Sequence, residues 1–283
     1  MANKHKISFK EEKETLLITL QAKAIDSHSK NSILNDKQAD EMIHLIDYDF
    51  KRLNQFGNEI MVIRAKQIDD WLEEFLKENQ RAVILNLGCG LDTRAFRINP
   101  PSDVIWYDVD YPDVIELRKL FFSSRAGYHM LSSDVKDLRW LECIPSDQPV
   151  MIIAEGLLEY FSEDEVKMLL HRLTSYFPYG QIAFDVMNSF AVKSGKDRLK
   201  ESTGAVHKWA VDDIQEVDRL ESKLHRIKCL SVFDSTYMEK LPLRVRFPYS
   251  ILRRIPRFKN MMRILLYKFE SGDIRLSSNF HRV

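Results

Sequence analysis

The chain has 283 residues, 45% of them apolar and 30% charged, with nine glycines and nine prolines. This length allows one or two domains, and the composition excludes disorder, collagen and coiled-coil arrays. The 42 Lys and Arg residues balance 42 Asp and Glu, which argues against a protein that coats nucleic acid. Three cysteines are too few for a disulfide framework and point to a cytoplasmic protein in a reducing compartment.

The N-terminal segment is charged and lacks the apolar core of a signal peptide. No apolar run approaches the ~20 residues that cross a bilayer, so no membrane partner is expected. Residues 1–80 read as a helical cover belonging to the same domain as residues 81–283. Leu16, Leu17, Leu20 and Ala24 recur at helical spacing, as do Ile60, Ile63, Ile68, Trp71, Leu72 and Phe75. From about residue 81 strands and helices alternate. Short apolar runs at 82–87, 103–109, 128–131, 150–154 and 181–186 read as strands, several buried on both faces. Pro112 opens one intervening helix. Ser162 and Glu165 form a capping box at the start of another, which continues through Val166, Leu169, Leu170 and Leu173. Such alternation predicts right-handed βαβ units and a parallel sheet flanked by helices. Residues 188–228 are polar and read as a helical insertion forming a lid. Two last strands are expected near 229–234 and 262–269, completing seven strands. Between Leu241 and Phe269 lie eight basic residues and no acid. There Arg253, Arg254 and Arg257 either attract an anion or form a solvated helix face.

The sharpest local signal is Asn86-Leu-Gly-Cys-Gly-Leu-Asp-Thr-Arg94, placed between a buried strand and helical sequence. Gly88 and Gly90 permit positive φ and a close ligand approach, and the following helix offers free N–H groups. Asp108 and Asp110 end the next strand, where a carboxylate can accept hydrogen bonds from ribose hydroxyls. Together these features favour an adenosine ligand. A dinucleotide turn would carry a third glycine where this chain has Thr93. S-adenosyl-L-methionine needs no phosphate cradle, only a glycine turn, a ribose acid, an adenine pocket and partners for an amino acid's two charges. Cys89 reads as a small packing residue. No metal is predicted, because the eight histidines show no ligand spacing.

Four ordered motifs resemble the leucine carboxyl methyltransferase and polyketide O-methyltransferase family of class I S-adenosylmethionine-dependent enzymes. They are the glycine turn, Trp106-Tyr-Asp-Val-Asp-Tyr-Pro112, Ser133-Asp-Val-Lys-Asp-Leu138 and Ala154-Glu-Gly-Leu-Leu-Glu-Tyr160. The stretch from Leu16 to Ala39 also fits bacterial members, and the resemblance covers about residues 12–190. It implies a Rossmann-like fold with a seven-stranded, mostly parallel sheet whose final hairpin makes one strand antiparallel. It implies that Gly88 and Gly90 touch the methionyl part of the cofactor and Asp110 holds the ribose. Asp134 and Val135 would line adenine, Glu155 would face the ammonium, and Arg64, helped by Lys23, would meet the carboxylate. The family's relatives of this general fold often carry an acid where this chain has Asn86. The acceptor is then the carboxylate or hydroxyl of a small, polyketide-like molecule, or a protein terminus. A carboxylate needs no general base, whereas a phenol with pKa near ~10 benefits from one. Tyr160 and His207 are the catalytic candidates. A nicotinamide-dependent oxidoreductase and a non-catalytic adenosine-binding module remain as alternatives.

Overall fold

The computed structural model describes residues 4–7, 9–53 and 57–270. Seven strands form one sheet: β1 Val83–Leu87, β2 Ile105–Asp110, β3 Tyr128–Ser132, β4 Val150–Ala154, β5 Tyr179–Met187, β6 Leu224–Ser231 and β7 Met262–Glu270. Their spatial order is β3-β2-β1-β4-β5-β7-β6. The first five strands run parallel, and β7 runs antiparallel to both neighbours, β5 and β6. Strands β1 and β4 are buried at every position, as expected when helices cover both sheet faces.

Side chains alternate across the pleat and feed two cores. On one face Val83, Leu85, Ile152 and Phe184 pack under α6, Glu163–Tyr176, through Val166, Leu169, Leu170 and Leu173. The capping box forms as expected: the Ser162 hydroxyl accepts from Glu165 N at 3.3 Å, and Glu165 accepts from Ser162 N at 2.8 Å. On the other face Ile84, Trp106, Ile153 and Leu266 meet α3, Asn58–Glu78, through Ile63, Ile68, Trp71 and Leu72. Two further N-terminal helices, α1 Leu16–Ser27 and α2 Lys37–Leu45, share a third cluster with Leu91, Val114 and Leu117 beside the glycine turn. Helix α5, Pro112–Phe121, begins at the expected proline, and α4, Arg94–Arg97, is a single turn.

The C-terminal third departs from the sequence expectation. The lid region is helical in α7, Ser189–Thr203, and α8, Ile214–Asp218, but the segment from Leu224 is already strand β6. Residues 232–234, expected as strand, form a 3₁₀ turn. The misplacement has a physical cause. β6 is an edge strand whose His225 and Arg226 face solvent and whose pairing slips between Arg226 and Lys228. Exposed charges and a bulge guard sheet edges, and they remove the apolar run that marks a buried strand. The basic segment forms α9, Leu243–Leu252, and α10, Pro256–Lys259, with Arg253, Arg254 and Arg257 exposed. Arg263 instead is buried and donates to the Val211 carbonyl at 2.5 Å. No helix among the described residues is long and apolar enough to cross a membrane.

Two glycines make opposite demands. A Cβ on Gly180 in β5 would stand 2.4 Å from the Val150 carbonyl oxygen, whereas one on Gly195 in α7 meets nothing within 4 Å. Gly180→Ala should therefore lose about 1–3 kcal/mol to overpacking. Gly195→Ala should gain up to about 1 kcal/mol from helix propensity. Urea unfolding of the two variants checks both signs.

Candidate active site

The carboxyl ends of β1, β2 and β4 open into a cavity of about 190 Å³. Its wall includes Gly88, Gly90, Asp110, Glu155, Tyr160 and His207, together with Lys23 from α1 and Arg64 from α3. Ligands of open parallel sheets bind at this edge.

The glycine turn is built for close approach. Gly88 has φ 61°, and a Cβ there would stand 2.7 Å from Leu157 Cδ1. Gly90 has φ 47°, and its Cβ would stand 3.1 Å from that of Leu16. Gly88 N donates to the Val109 carbonyl at 2.9 Å, which pins the turn to β2. Asp110 reinforces this pin, accepting from Gly90 N at 2.7 Å and from Tyr111 N at 2.7 Å. Burial raises its carboxyl to about 6, against the opposing pull of the two backbone N–H groups. Asp108, its neighbour two residues earlier, is fully buried and does not line the cavity. It accepts from Arg118, from Tyr128 OH at 2.5 Å, from Trp106 Nε1 at 2.9 Å and from Asn86 Nδ2 at 3.0 Å. Of the two acids closing β2, only Asp110 lines the cavity.

Asn86 stands opposite Asp108 in the β1–β2 register. Its amide also points to Asp92 at 3.5 Å. An acid at this position would meet two carboxylates, whereas an amide can donate to both.

A buried ion network surrounds the turn. Arg64 Nε donates to Glu155 at 3.1 Å and its Nη1 to Asp185 at 3.0 Å. Arg94, with no exposed side chain, reaches Asp69 at 2.6 Å, Asp92 at 2.7 Å and Glu155 at 2.5 Å. Lys23 Nζ meets Asp92 at 2.7 Å. Arg97 joins Asp69 at 2.8 Å to Asp36 at 3.1 Å. Burial works against ionisation of Glu155, but the Arg94 and Arg64 guanidiniums outweigh it and hold the carboxyl at about 2. Asp92 is likewise held well below the ordinary range by Arg94 and Lys23 despite its burial. The network sets Lys23, Arg64, Arg94 and Arg97 against Asp36, Asp69, Asp92, Glu155 and Asp185, one more carboxylate than cations. That surplus suits a cofactor whose sulfonium and ammonium outnumber its carboxylate.

Arg64 and Glu155 are thus partners of each other before any ligand arrives. Arg64 Nη2 makes no hydrogen bond among the described residues and lies 3.0 Å from where a Cβ on Gly156 would stand. Gly156, at φ 63°, also donates its N–H to Asp185 at 2.8 Å. Asp134 and Val135 are not in the cavity wall. Asp134 accepts from Lys136 N at 2.9 Å, and Val135 is core-packed. Their loop nonetheless abuts the site, since Ser133 N donates to the Asp110 carbonyl at 2.9 Å. Arg253, Arg254 and Arg257 lie outside the cavity wall.

Sequence reasoning did not find Asp185, Arg94, Asp92 or Glu159 as members of this site. The glycine-turn motif contains Asp92 and Arg94, so an acid–base pair two residues apart was the available signal. Tyr160 and His207 both line the cavity, their rings 5.2 Å apart. Burial, then the Glu159 carboxyl, raises the Tyr160 phenol well above its ordinary value, and burial lowers His207 to about 4. Both are neutral at physiological pH, and neither is a strong base. Among the described residues no cluster of three or more His, Cys, Asp or Glu could hold a metal.

A β3-β2-β1-β4-β5-β7-β6 sheet with a glycine turn and a cavity-lining acid at its carboxyl edge is the architecture of class I S-adenosylmethionine-dependent methyltransferases. The model of the leucine carboxyl methyltransferase family matches residues 16–174, and the chain belongs to that family. It is 34% identical over 259 residues to the tetracenomycin polyketide synthesis O-methyltransferase TcmP of Streptomyces glaucescens, covering 90% of this chain and 96% of that one. It is 33% identical to the S-adenosyl-L-methionine-dependent methyltransferase dpfgK of Gibberella zeae, over 76% of this chain and 80% of that one. In fold it resembles a solved Thermobifida fusca chain with a TM-score of 0.59 at 17% identity, covering 88% and 94% of the two chains. An S-adenosylmethionine dependent methyltransferase from Mesorhizobium loti gives 0.52 at 15% identity, covering 70% and 96%. The protein is therefore an enzyme, and its cofactor is S-adenosylmethionine. The nicotinamide-dependent and non-catalytic readings are set aside. Thr93, at the position of a third glycine, instead donates to Asp36 at 2.6 Å.

Three outcomes are expected from this geometry. Asp110 must be ionised to accept from a ribose, so affinity for S-adenosylhomocysteine should fall as pH drops through about 6. Asp110→Ala should cost about two to four decades of affinity at pH 7.5, at roughly 1.5–3 kcal/mol for each of two charge-assisted bonds. Calorimetry between pH 5 and 8 measures both, and a flat profile would refute the role. Removing the buried Arg64 would strand two carboxylates at a cost of about 3–5 kcal/mol, so the charge-keeping Arg64→Lys is the informative variant. It should weaken S-adenosylhomocysteine about tenfold by losing the planar fork, yet spare 5′-methylthioadenosine, which lacks the amino-acid end. Equal losses for both ligands would mean that Arg64 acts only on structure.

Proposed function

We propose that the protein is an O-methyltransferase that esterifies the carboxylate of a small, polyketide-like acid, working in the cytoplasm. The family's description and the TcmP name support an oxygen acceptor of this kind. The observation that carries the carboxylate is the pair Tyr160 and His207: burial keeps the phenol protonated and leaves the imidazole, lowered to about 4, a poor proton acceptor. A carboxylate brings its own negative charge and loses no proton on methylation. Bound S-adenosylmethionine supplies a methyl group activated by the sulfonium charge, which the acceptor oxygen takes as the S–CH3 bonding pair stays on sulfur.

The chain's residues contribute by holding and aligning. Gly88 and Gly90 leave their backbone open to the methionyl chain, Asp110 takes the ribose hydroxyls, and the Asp134–Val135 loop flanks adenine. Arg64 Nη2 takes the cofactor carboxylate beside Lys23, and Glu155 takes the ammonium. Residues 1–80 then belong to the same domain as the core, because α1 and α3 supply part of the pocket. Alignment of the two reactants can by itself be worth ~7–11 kcal/mol of barrier.

The linkage of the product tests this reading. Enzyme with methyl-labelled S-adenosylmethionine and a panel of aromatic acids and phenols should give label that mild alkali releases as methanol. Label that resists alkali marks an ether, and would replace the carboxylate with a hydroxyl.

A further inference from the structure

Two fully buried side-chain atoms on residues of the cavity wall have no hydrogen-bond partner among the described residues. Glu159 is 6% exposed, and its Oε2 is buried without a hydrogen bond; Nδ1 of His207 is likewise buried and unbonded. Both residues line the same cavity. They are also tied together through the backbone. Lys208 N and Trp209 N donate to the Glu159 carbonyl at 2.7 and 3.3 Å, and the His207 ring lies beside that of Tyr160. Buried polar atoms are nearly always satisfied, so two orphans on residues that line one cavity call for a ligand. Every lysine or arginine in the cavity wall already has a carboxylate: Lys13 has Asp113, Lys23 has Asp92, and Arg64 has Glu155 and Asp185. An anionic acceptor entering here meets, among the described residues, no lysine or arginine without a carboxylate partner.

We propose that Glu159 and His207 form the acceptor subsite, Glu159 donating its carboxyl proton as a hydrogen bond to the carboxylate being methylated and His207 donating a ring N–H beside it. This rests on the carboxylate acceptor proposed for the enzyme. The groups facing Glu159 are Asp185 on β5, Arg64 on α3 and Glu155 at the end of β4. Burial and then Asp185 raise the Glu159 carboxyl to about 8, with Arg64 opposing. It is therefore largely protonated at pH 7, and His207, lowered by burial, is neutral. A neutral carboxylic acid kept as a hydrogen-bond donor is a known device for holding an oxyanion. Two neutral donors bind a carboxylate without a counter-ion to blunt its charge, so the oxygen stays nucleophilic.

Ionisation of Glu159 sets the sign of the pH dependence, because the ionised group stops donating and repels the acceptor. For the acid that the enzyme esterifies, kcat/KM should fall about tenfold per pH unit above pH ~8. Glu159→Gln keeps a donor and cannot ionise, so this alkaline fall should disappear. Glu159→Ala should raise the acceptor KM by about tenfold or more and leave S-adenosylhomocysteine affinity unchanged. Activity that instead rises through pH 8 and vanishes in Glu159→Gln would make Glu159 a base for a hydroxyl and overturn the proposal. A readout independent of turnover uses [δ-13C]glutamate-labelled protein saturated with S-adenosylhomocysteine. The carboxyl resonance missing from Glu159→Gln should titrate near 8, and 1-naphthoate, but not 1-naphthamide, should move it higher. A midpoint near 4.5, or one indifferent to naphthoate, overturns the subsite. Failure of the wild type to esterify any acid would count against the proposed function alone, since the resonance still reports on Glu159.

Discussion

The ion network around the glycine turn is the constraint on which the site depends. Arg94 sits at its centre with its side chain fully buried and three carboxylates within 2.7 Å. Its partners come from separate parts of the chain: Asp69 from α3, Asp92 from the turn and Glu155 from the end of β4. Burying these charges is costly unless every one is matched, and removing one partner leaves an uncompensated ion. The arrangement therefore fixes the turn, the strand end and the N-terminal helices relative to each other. Through Asp36 it extends to the start of α2, and through Lys23 to α1, which carries part of the cavity wall.

The same network shapes the chemistry. Glu155 and Asp92 are held ionised by guanidiniums, while Glu159, only four residues beyond Glu155, is not. The difference lies in the neighbours. Glu155 has two arginines, whereas Glu159 is opposed by Asp185 and shares Arg64 at a distance. Two glutamates of one short motif thus end in opposite protonation states at neutral pH. One suits a cationic cofactor and the other an anionic acceptor.

Much of the fold is legible in the sequence, because apolar runs bounded by turn residues are a strong signal. The five parallel strands, the proline-led helix and the capping box stand where the pattern places them. The edge strand β6 escapes that pattern, since its solvent-facing charges resemble a polar helix. Of the nine site and catalytic positions other than His207, seven line one cavity, and Asp134 and Val135 stand just beyond it. What linear reasoning could not reach was pairing. Asp185 lies 121 residues from Arg64, and no spacing rule joins them.

The sequence by itself determined the fold class, the glycine turn after β1 and the acid at the end of β2, because each is written in a short segment whose local conformation comes from its own residues. Tertiary structure decided between Asp108 and Asp110, made Asn86 a bridge between carboxylates and left Glu159 without a partner. These outcomes depend on which side chains from distant segments meet in a place that excludes water. There the desolvation of a charge is set by its neighbours and not by its own identity.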